Sequence, residues 1–229
     1  TSHDDSKPFF CMMSVFDPHN PYDDLPLEYE KRVTQSSLPM PQVTTKEKKH
    51  TIRALKQEQE FGYLGRYQDF TQEDFRKMRT GYYGSIALMD DEVGRVLQAL
   101  EEKKITDNTM IIFLSDHGDM LGDHGLLVKG AYFYEACSKV PLIISQPGNV
   151  AAGVRSTALV QPNDIAATVL SAAGMAKEEI QKLMPDSADI RTAYTDCHET
   201  AVCAYRETGI SKTGKYFSPA INATMITDG

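Results

Sequence analysis

The sequence contains no tryptophan, only four cysteines and no long apolar run. The cysteines Cys11, Cys137, Cys197 and Cys203 are not spaced as CxxC pairs, which excludes a zinc knuckle and a dense disulfide framework. Cys197 and Cys203 are the nearest pair in sequence, and we expect free thiols there rather than a disulfide. No apolar segment approaches the roughly 20 residues needed to cross a bilayer, so the sequence predicts no membrane span.

Basic residues are also scarce. The chain has 24 Lys and Arg against 32 Asp and Glu, a formal net charge of −8, and its one basic cluster is residues 46–49. Nucleic-acid binding requires a basic face that neutralises phosphates. The charge distribution therefore excludes nucleic acid as the expected partner.

The chain is long enough for one buried core, with 229 residues of which 41% are hydrophobic. Apolar and β-branched runs predict buried strands at residues 9–16, 110–114 and 140–145. Helical spacing of apolar residues predicts a long helix over 71–103, and a second helix runs through 163–173, where Gly174 ends it. Alternation of strand and helix is typical of a layered α/β fold with a mostly parallel sheet.

The remaining segments give weaker patterns. Residues 46–60 predict a short, solvated helix within a polar region. Residues 176–191 are charged and loop-like. Short strands are predicted at residues 158–160, 192–205 and 223–227.

The strand at residues 110–114 leads into a loop rich in Asp, His and Gly, in the sequence SDHGDMLGDHGLLVK. Asp116 and His117 follow the carboxyl end of the strand, where ligands bind in open α/β sheets. A carboxylate beside an imidazole is a plausible half of a divalent metal site. Lys129 adds a compact cation suited to a phosphate-like or sulfate-like group. The alternative is a strand end with an Asx-turn and no ligand.

His19 follows the strand predicted at residues 9–16, between Pro18 and Pro21. The two prolines limit the freedom of the backbone around the imidazole. This arrangement suits a positioned proton donor or an anion contact. The alternative is a surface histidine without a role, since polar residues collect in loops.

Three segments resemble the sulfatases of the alkaline phosphatase superfamily. SDHGDMLGDHGLLVKG resembles their second metal-binding segment, and FYEACSKVPLIISQPG (residues 133–148) resembles the stretch that follows it. PFFCMMSVFDPHNPY (residues 8–22) resembles the strand and PHxPY loop that contribute an active-site histidine. The three segments occur in the same order as in that family, and the resemblance covers most of residues 8–175.

The resemblance implies a three-layer, alkaline-phosphatase-like α/β sandwich with a mostly parallel sheet. Residues 1–185 would form a catalytic domain that lacks its N-terminal part. Residues 186–229 would begin a small antiparallel C-terminal subdomain that is also truncated.

The resemblance also assigns roles to the candidate residues. Asp116 and His117 match metal ligands, with Ca²⁺ as the first expectation and Mn²⁺ as the second. His19 and Lys129 match residues that contact the sulfate ester and assist its cleavage. His124 is a candidate for a further substrate contact or for a brace of the loop, and we favour the brace. The implied substrate is a sulfate ester of a small molecule or saccharide.

One part of a sulfatase is missing from the sequence. Sulfatases carry a cysteine or serine in a C/S-x-P/A-x-R motif, and this residue is converted to formylglycine. The sequences that start at the four cysteines are CMMS, CSKV, CHET and CAYR, and none of them matches this motif. We therefore expect a fragment of a formylglycine sulfatase that is inactive by itself.

Three other hypotheses remain open at this point. The first is a phosphonate or phosphodiester hydrolase of the same superfamily. The second is a degenerate homologue that keeps the fold and acts as a binding module. The third is a structural fragment in which Asp116 and His117 are only turn residues.

Overall fold

The computed structural model describes residues 7–130, 132–191, 197–206 and 222–227. Within these ranges the helices are α1 Leu27–Glu30, α2 Thr45–His50, α3 Arg53–Phe61, α4 Gln72–Glu102, α5 Glu135–Ser138, α6 Asp164–Ala172 and α7 Lys177–Leu183. The strands are β1 Ile111–Leu114, β2 Leu142–Ser145, β3 Ala201–Arg206 and β4 Asn222–Thr227. No helix in the described ranges combines the length and apolarity needed to cross a membrane.

The chain divides into two compact units. The first consists of Thr1–Met40 with Gln72–Val96, and the second of Pro41–Thr71 with Leu97–Gly229. The candidate residue His19 belongs to the first unit, whereas Asp116, His117, His124 and Lys129 belong to the second.

The long helix α4 confirms the prediction for residues 71–103. In the first unit its buried residues include the apolar Phe75 and Met78, but also Gly81 and Gly84. A Cβ at Gly81 would lie 1.8 Å from the carbonyl oxygen of Tyr22, and one at Gly84 would lie 2.2 Å from a methyl carbon of Leu25. Small residues therefore let the chain approach the helix backbone closely.

Residues 9–16 do not form the buried strand that we predicted. No strand is assigned to this segment, and its apolar side chains are exposed, with Phe10 at 74% and Met12 at 78%. A strand is stabilised by ladder hydrogen bonds and by cover on its face. Apolar composition predicted the burial, but the described residues provide no neighbouring strand for this segment.

In the second unit, β1 and β2 lie where two buried strands were predicted, but none of their residues is fully buried, with Ile143 61% exposed. Their pairing is antiparallel. Ile111 faces Ser145 and Leu114 faces Leu142 in the ladder. The described strands thus do not form the mostly parallel sheet expected from the alternation of strands and helices. The second ladder, between β3 and β4, is also antiparallel, with Ala201 opposite Thr227.

One buried cluster of the second unit lies mostly in the loop after β1 and includes one residue of α5. Met120, Leu126, Tyr132 and Cys137 form a buried cluster, against which the partly buried Leu55 packs. Met120 is fully buried and Leu126 is 2% exposed. The loop that follows β1 therefore contributes most of this buried cluster.

Other elements differ from the sequence predictions in detail. The solvated helix predicted at 46–60 is split into α2 and α3, and residues 158–160 are not a strand. Helix α6 matches the prediction for 163–173, but α7 occupies part of the segment predicted to be loop-like. Residues 192–196 of the strand predicted at 192–205 lie outside the described residues.

The two kinds of glycine in α4 provide a test of this packing. Gly81→Ala should lower the free energy of unfolding by about 3 kcal/mol, because the new methyl group meets the backbone of Tyr22. Gly94→Ala is the matched control, since nothing lies within 4 Å of its Cβ position. It should raise the free energy of unfolding by about 0.5–1 kcal/mol. Urea denaturation followed by circular dichroism measures both, and equal effects of the two substitutions would contradict the packing.

Candidate functional site

Asp116 and His117 lie next to each other just beyond the carboxyl end of β1. Oδ1 of Asp116 accepts a hydrogen bond from the backbone N–H of His117 at 2.9 Å. Oδ2 of Asp116 lies 3.6 Å from Nε2 of His117. The two side chains therefore converge, and they are open to solvent, with exposed fractions of 85% for Asp116 and 40% for His117.

The hydrogen bonding of His117 decides which ring nitrogen can bind a cation. Its Nδ1 lies 2.8 Å from the carbonyl oxygen of Gly118, and because a carbonyl oxygen only accepts, Nδ1 carries the proton. Neutral His117 then presents the lone pair of Nε2 on the side of Asp116 Oδ2. An imidazole nitrogen oriented by a backbone carbonyl, together with a carboxylate oxygen, fits two positions of a divalent cation.

A complete coordination shell would require further donors. Ca²⁺ takes 6–8 oxygen ligands. Across the part of the chain that the structure describes, no group of three or more His, Cys, Asp or Glu side chains is arranged to hold a metal ion. Asp116 and His117 are thus two donors without a third among the described residues, and their role as metal ligands stays a prediction.

The position of this pair is fixed by Gly118. Its N–H donates to the carbonyl oxygen of Cys137 at 2.8 Å. A Cβ at this position would lie 1.9 Å from the carbonyl oxygen of Ala136. Only glycine allows the loop to approach α5 this closely, and the approach places His117 directly beside a helix that belongs to the core.

The loop then turns through an unusual backbone conformation. Leu121, Gly122, His124 and Gly125 all have positive φ, at 46°, 94°, 57° and 77°. Residues other than glycine rarely have a positive φ. They keep this backbone conformation only where contacts with their surroundings impose it. Here Asp123 N donates to Met120 O and Gly122 N donates to Leu126 O, each at 2.8 Å.

Lys129 directly follows the buried residues Leu126, Leu127 and Val128 of this loop. The hydroxyl of Tyr132 donates to Val128 O at 2.6 Å, and the N–H of Tyr132 donates to Gly130 O at 2.8 Å. The residues on both sides of Lys129 are thus held by one aromatic residue of the core. The charge of Lys129 also acts on the thiol of Cys137, which places the ammonium in the neighbourhood of α5.

His124 is engaged by residues that the sequence analysis did not identify. Its Nδ1 contacts Oε1 of Glu47, and its ring stacks on Tyr134 with centroids 3.9 Å apart and planes 8° from parallel. The pKa of the Glu47 carboxyl is lowered to about 2, first by the backbone N–H of Thr44 and then by His124. The TxxE spacing of Thr44 and Glu47 is a capping-box signal readable in the sequence, but its contact with His124 is not.

Polar contacts from the same region hold the neighbours of His124. Gln42 N donates to Oδ1 of Asp123 at 2.8 Å, and His124 N donates to Gln42 O at 2.8 Å. The amide of Gln59 donates to His124 O at 3.2 Å. Asp119 accepts from Leu121 N at 3.2 Å. The acidic residues of this loop thus make local contacts that shape it.

His19 lies in the first unit and is constrained by its own loop. Its N–H donates to Phe16 O at 3.1 Å, and Nδ1 lies 2.6 Å from Asn20 O. The ring of His19 also packs on that of Phe16, with centroids 4.3 Å apart. The structure brings Asp116 and His117 together, with Lys129 nearby along the same loop. The role of His19 stays a prediction.

The thiol of Cys137 is unsuited to act as a nucleophile. Its pKa is raised to about 12, mainly by burial and further by Asp119, while Lys129 acts in the opposite direction. At pH 8 only about 10⁻⁴ of such a thiol is ionised, and the thiolate is the reactive form. Cys11 is exposed.

These two cysteines should therefore differ in reactivity. Iodoacetamide at pH 8 should modify Cys11 readily and leave Cys137 unmodified, as measured by mass spectrometry of tryptic peptides. In denaturing urea both should react, which provides the control. Modification of Cys137 in the folded chain at the rate of Cys11 would contradict the burial of this thiol.

Comparison with known proteins identifies the family. The sulfatase family model matches residues 1–175. An arylsulfatase of Clostridium perfringens is 33% identical over 196 residues, covering 81% of this chain and 37% of the relative. A choline-sulfatase of Rhizobium meliloti is 38% identical over 117 residues, covering 50% of this chain and 22% of the relative.

A solved structure of similar fold leads to the same superfamily. The phosphonate monoester hydrolase of Agrobacterium radiobacter superposes with a TM-score of 0.76 at 27% identity, covering 93% of this chain and 45% of that protein. The chain thus spans less than half the length of these relatives. With the convergent Asp116 and His117 in place, the matches show that this chain belongs to the sulfatase family of the alkaline phosphatase superfamily.

Proposed function

We propose that this chain is part of a metal-dependent sulfatase that hydrolyses sulfate esters. The observation that carries the proposal is the convergence of Asp116 Oδ2 and His117 Nε2, 3.6 Å apart, in a chain of the sulfatase family. The relatives named arylsulfatase and choline-sulfatase support a sulfate ester of a small molecule or saccharide as substrate.

In this proposal Asp116 and His117 supply part of the coordination shell of a divalent cation, Ca²⁺ first and Mn²⁺ second. When bound, such a cation polarises the oxygens of the ester and orients the nucleophile. The carbonyl oxygen of Gly118 accepts a hydrogen bond from the protonated Nδ1 of His117, so Nε2 remains available as the ligand. The exposure of the pair leaves room for substrate oxygens and for further ligands.

Lys129 and His19 complete the proposed chemistry of this chain. The ammonium of Lys129 stabilises negative charge that develops on the transferred group. The imidazole of His19 contacts the ester and protonates the leaving oxygen. The engagement of His124 with Glu47 and Tyr134 supports a bracing role for His124 rather than a substrate contact.

The nucleophile of the proposed enzyme is a formylglycine that these 229 residues do not contain, since none of the four cysteines has the required sequence context. In the complete enzyme, residues 1–185 belong to a three-layer catalytic domain and residues 186–229 to a small antiparallel subdomain. The antiparallel β1–β2 pair is an edge of its otherwise mostly parallel sheet.

A metal-binding measurement tests whether Asp116 and His117 hold a divalent cation. Calorimetric titration of the complete enzyme with Mn²⁺ and with Ca²⁺ should detect binding that Asp116→Asn weakens at least about tenfold, because the substitution removes a charged oxygen donor. Asp107→Asn is the matched control, because Asp107 is exposed in the turn before β1. Absence of binding, or equal binding by wild type and Asp116→Asn, would contradict the metal site.

Turnover tests the fragment proposal separately. The purified chain should not hydrolyse 4-nitrophenyl sulfate, whereas the complete enzyme should do so, in preference to a 4-nitrophenyl phosphonate ester. Turnover by the chain alone that Asp116→Ala abolishes would show that the nucleophile lies within these residues. Faster cleavage of the phosphonate ester by the complete enzyme would instead favour a phosphonate hydrolase.

A further inference from the structure

The turn between the proposed metal ligands and Lys129 is held from outside by the polar segment that contains α2 and α3. Glu47 of α2 reaches across 77 positions of sequence to contact Nδ1 of His124. Both side chains are partly buried, with exposed fractions of 27% for Glu47 and 33% for His124. None of the sulfatase-like segments includes Glu47.

Glu47 is itself firmly placed. Its Oε2 accepts from the backbone N–H of Thr44 at 2.7 Å, and its own N–H donates to the hydroxyl of Thr44 at 3.2 Å. These two bonds form a capping box at the start of α2. One carboxylate oxygen therefore anchors the side chain to its helix, and the other is directed at His124.

His124 transmits this contact to the chain that positions His117. Its ring stacks on Tyr134, the residue directly before α5. The Cys137 carbonyl of α5 accepts the hydrogen bond from Gly118, the residue after His117. A continuous series of contacts thus leads from Glu47 through His124 and α5 to the proposed metal ligand.

The backbone of His124 requires such support. Its φ of 57° lies in the left-handed region, which non-glycine residues adopt at a cost. The contacts of Gln42 and Gln59 with this residue hold its backbone, and Glu47 together with Tyr134 holds its ring. Loss of the carboxylate would release the ring while the ligands themselves remained unchanged.

We propose that Glu47 is a positioning residue of this site: through His124 it fixes the turn that joins the Asp116–His117 pair to Lys129. The role rests on the sulfatase function proposed above. Glu47 touches neither metal nor substrate, and its effect is exerted on the geometry of groups that do. The pKa of the Glu47 carboxyl is lowered to about 2, first by the backbone N–H of Thr44 and then by His124, so this side chain is a carboxylate at neutral pH.

The test separates this role from simple capping of α2. In the complete enzyme, Glu47→Ala should lower kcat for 4-nitrophenyl sulfate by at least about tenfold with a smaller change in KM, because displacement of catalytic groups by about 1 Å is costly in the transition state. Thr44→Ala is the matched control, since it removes the hydroxyl of the capping box and leaves the contact of Glu47 with His124. Its kcat should stay within about twofold of wild type, while its melting temperature falls.

A double-mutant cycle examines the proposed route. His124→Asn keeps a residue that tolerates the left-handed backbone but loses the imidazole. Its effect on kcat should be large in the wild-type background and small in the Glu47→Ala background, because the two residues act as a unit. Should Glu47→Ala fail to fold, Glu47→Gln retains the length and one acceptor oxygen and should show a smaller loss of kcat.

Each result bears on the proposal. A wild-type kcat for Glu47→Ala or Glu47→Gln, a loss no larger than that of Thr44→Ala, or additive effects in the cycle would overturn the positioning role while the proposed function stands. A wild-type enzyme without metal-dependent turnover would overturn the proposed function, and the positioning role with it.

Discussion

The close approach of Gly118 to α5 is the constraint on which the candidate site depends. The N–H of Gly118 bonds to Cys137, and its Cα lies against Ala136 with no room for a side chain. The carbonyl oxygen of Gly118 in turn accepts from Nδ1 of His117. One residue therefore fixes both the location of the imidazole and the nitrogen that it presents. A side chain at this position would displace Asp116 and His117 even though neither residue had changed.

The loop beyond Gly118 combines strain with burial. A residue other than glycine in the left-handed backbone conformation costs on the order of 1–3 kcal/mol of stability. The loop contains two such residues, Leu121 and His124. Burial of side chains such as Met120 and Leu126 contributes about 1.5–3 kcal/mol each. The two effects are of similar size, so burial of the apolar side chains offsets the strain of the turn. A segment rich in Asp, His and Gly thus also contributes apolar side chains to a buried cluster.

The amino-acid sequence was sufficient to predict those elements whose structure is determined by local sequence patterns. The helix at 72–102 and the strand β1 were predicted closely, because apolar spacing and a β-branched run are local signals. The strand predicted at residues 9–16 was wrong, and the pairing of β1 with β2 was not foreseen, because ladders depend on partners distant in sequence. Helix α7 was missed because its polar composition resembles that of a loop. The family resemblance selected Asp116 and His117, but their convergence and the tautomer of His117 required the structure.

The contacts of His124 show why part of the site is hidden from motif-based reasoning. The charge run in residues 46–60 predicts a short, solvated helix with its charges on the face that is open to water. The partner of Glu47 lies 77 positions away, and neither residue reveals the other by its spacing. Motif residues can bind and react, yet the backbone conformation that aligns them is imposed here by Gln42, Glu47 and Gln59, which belong to no motif. Changes in this polar segment would therefore alter the alignment of Lys129 with the ligand pair while every recognisable sulfatase residue stayed the same.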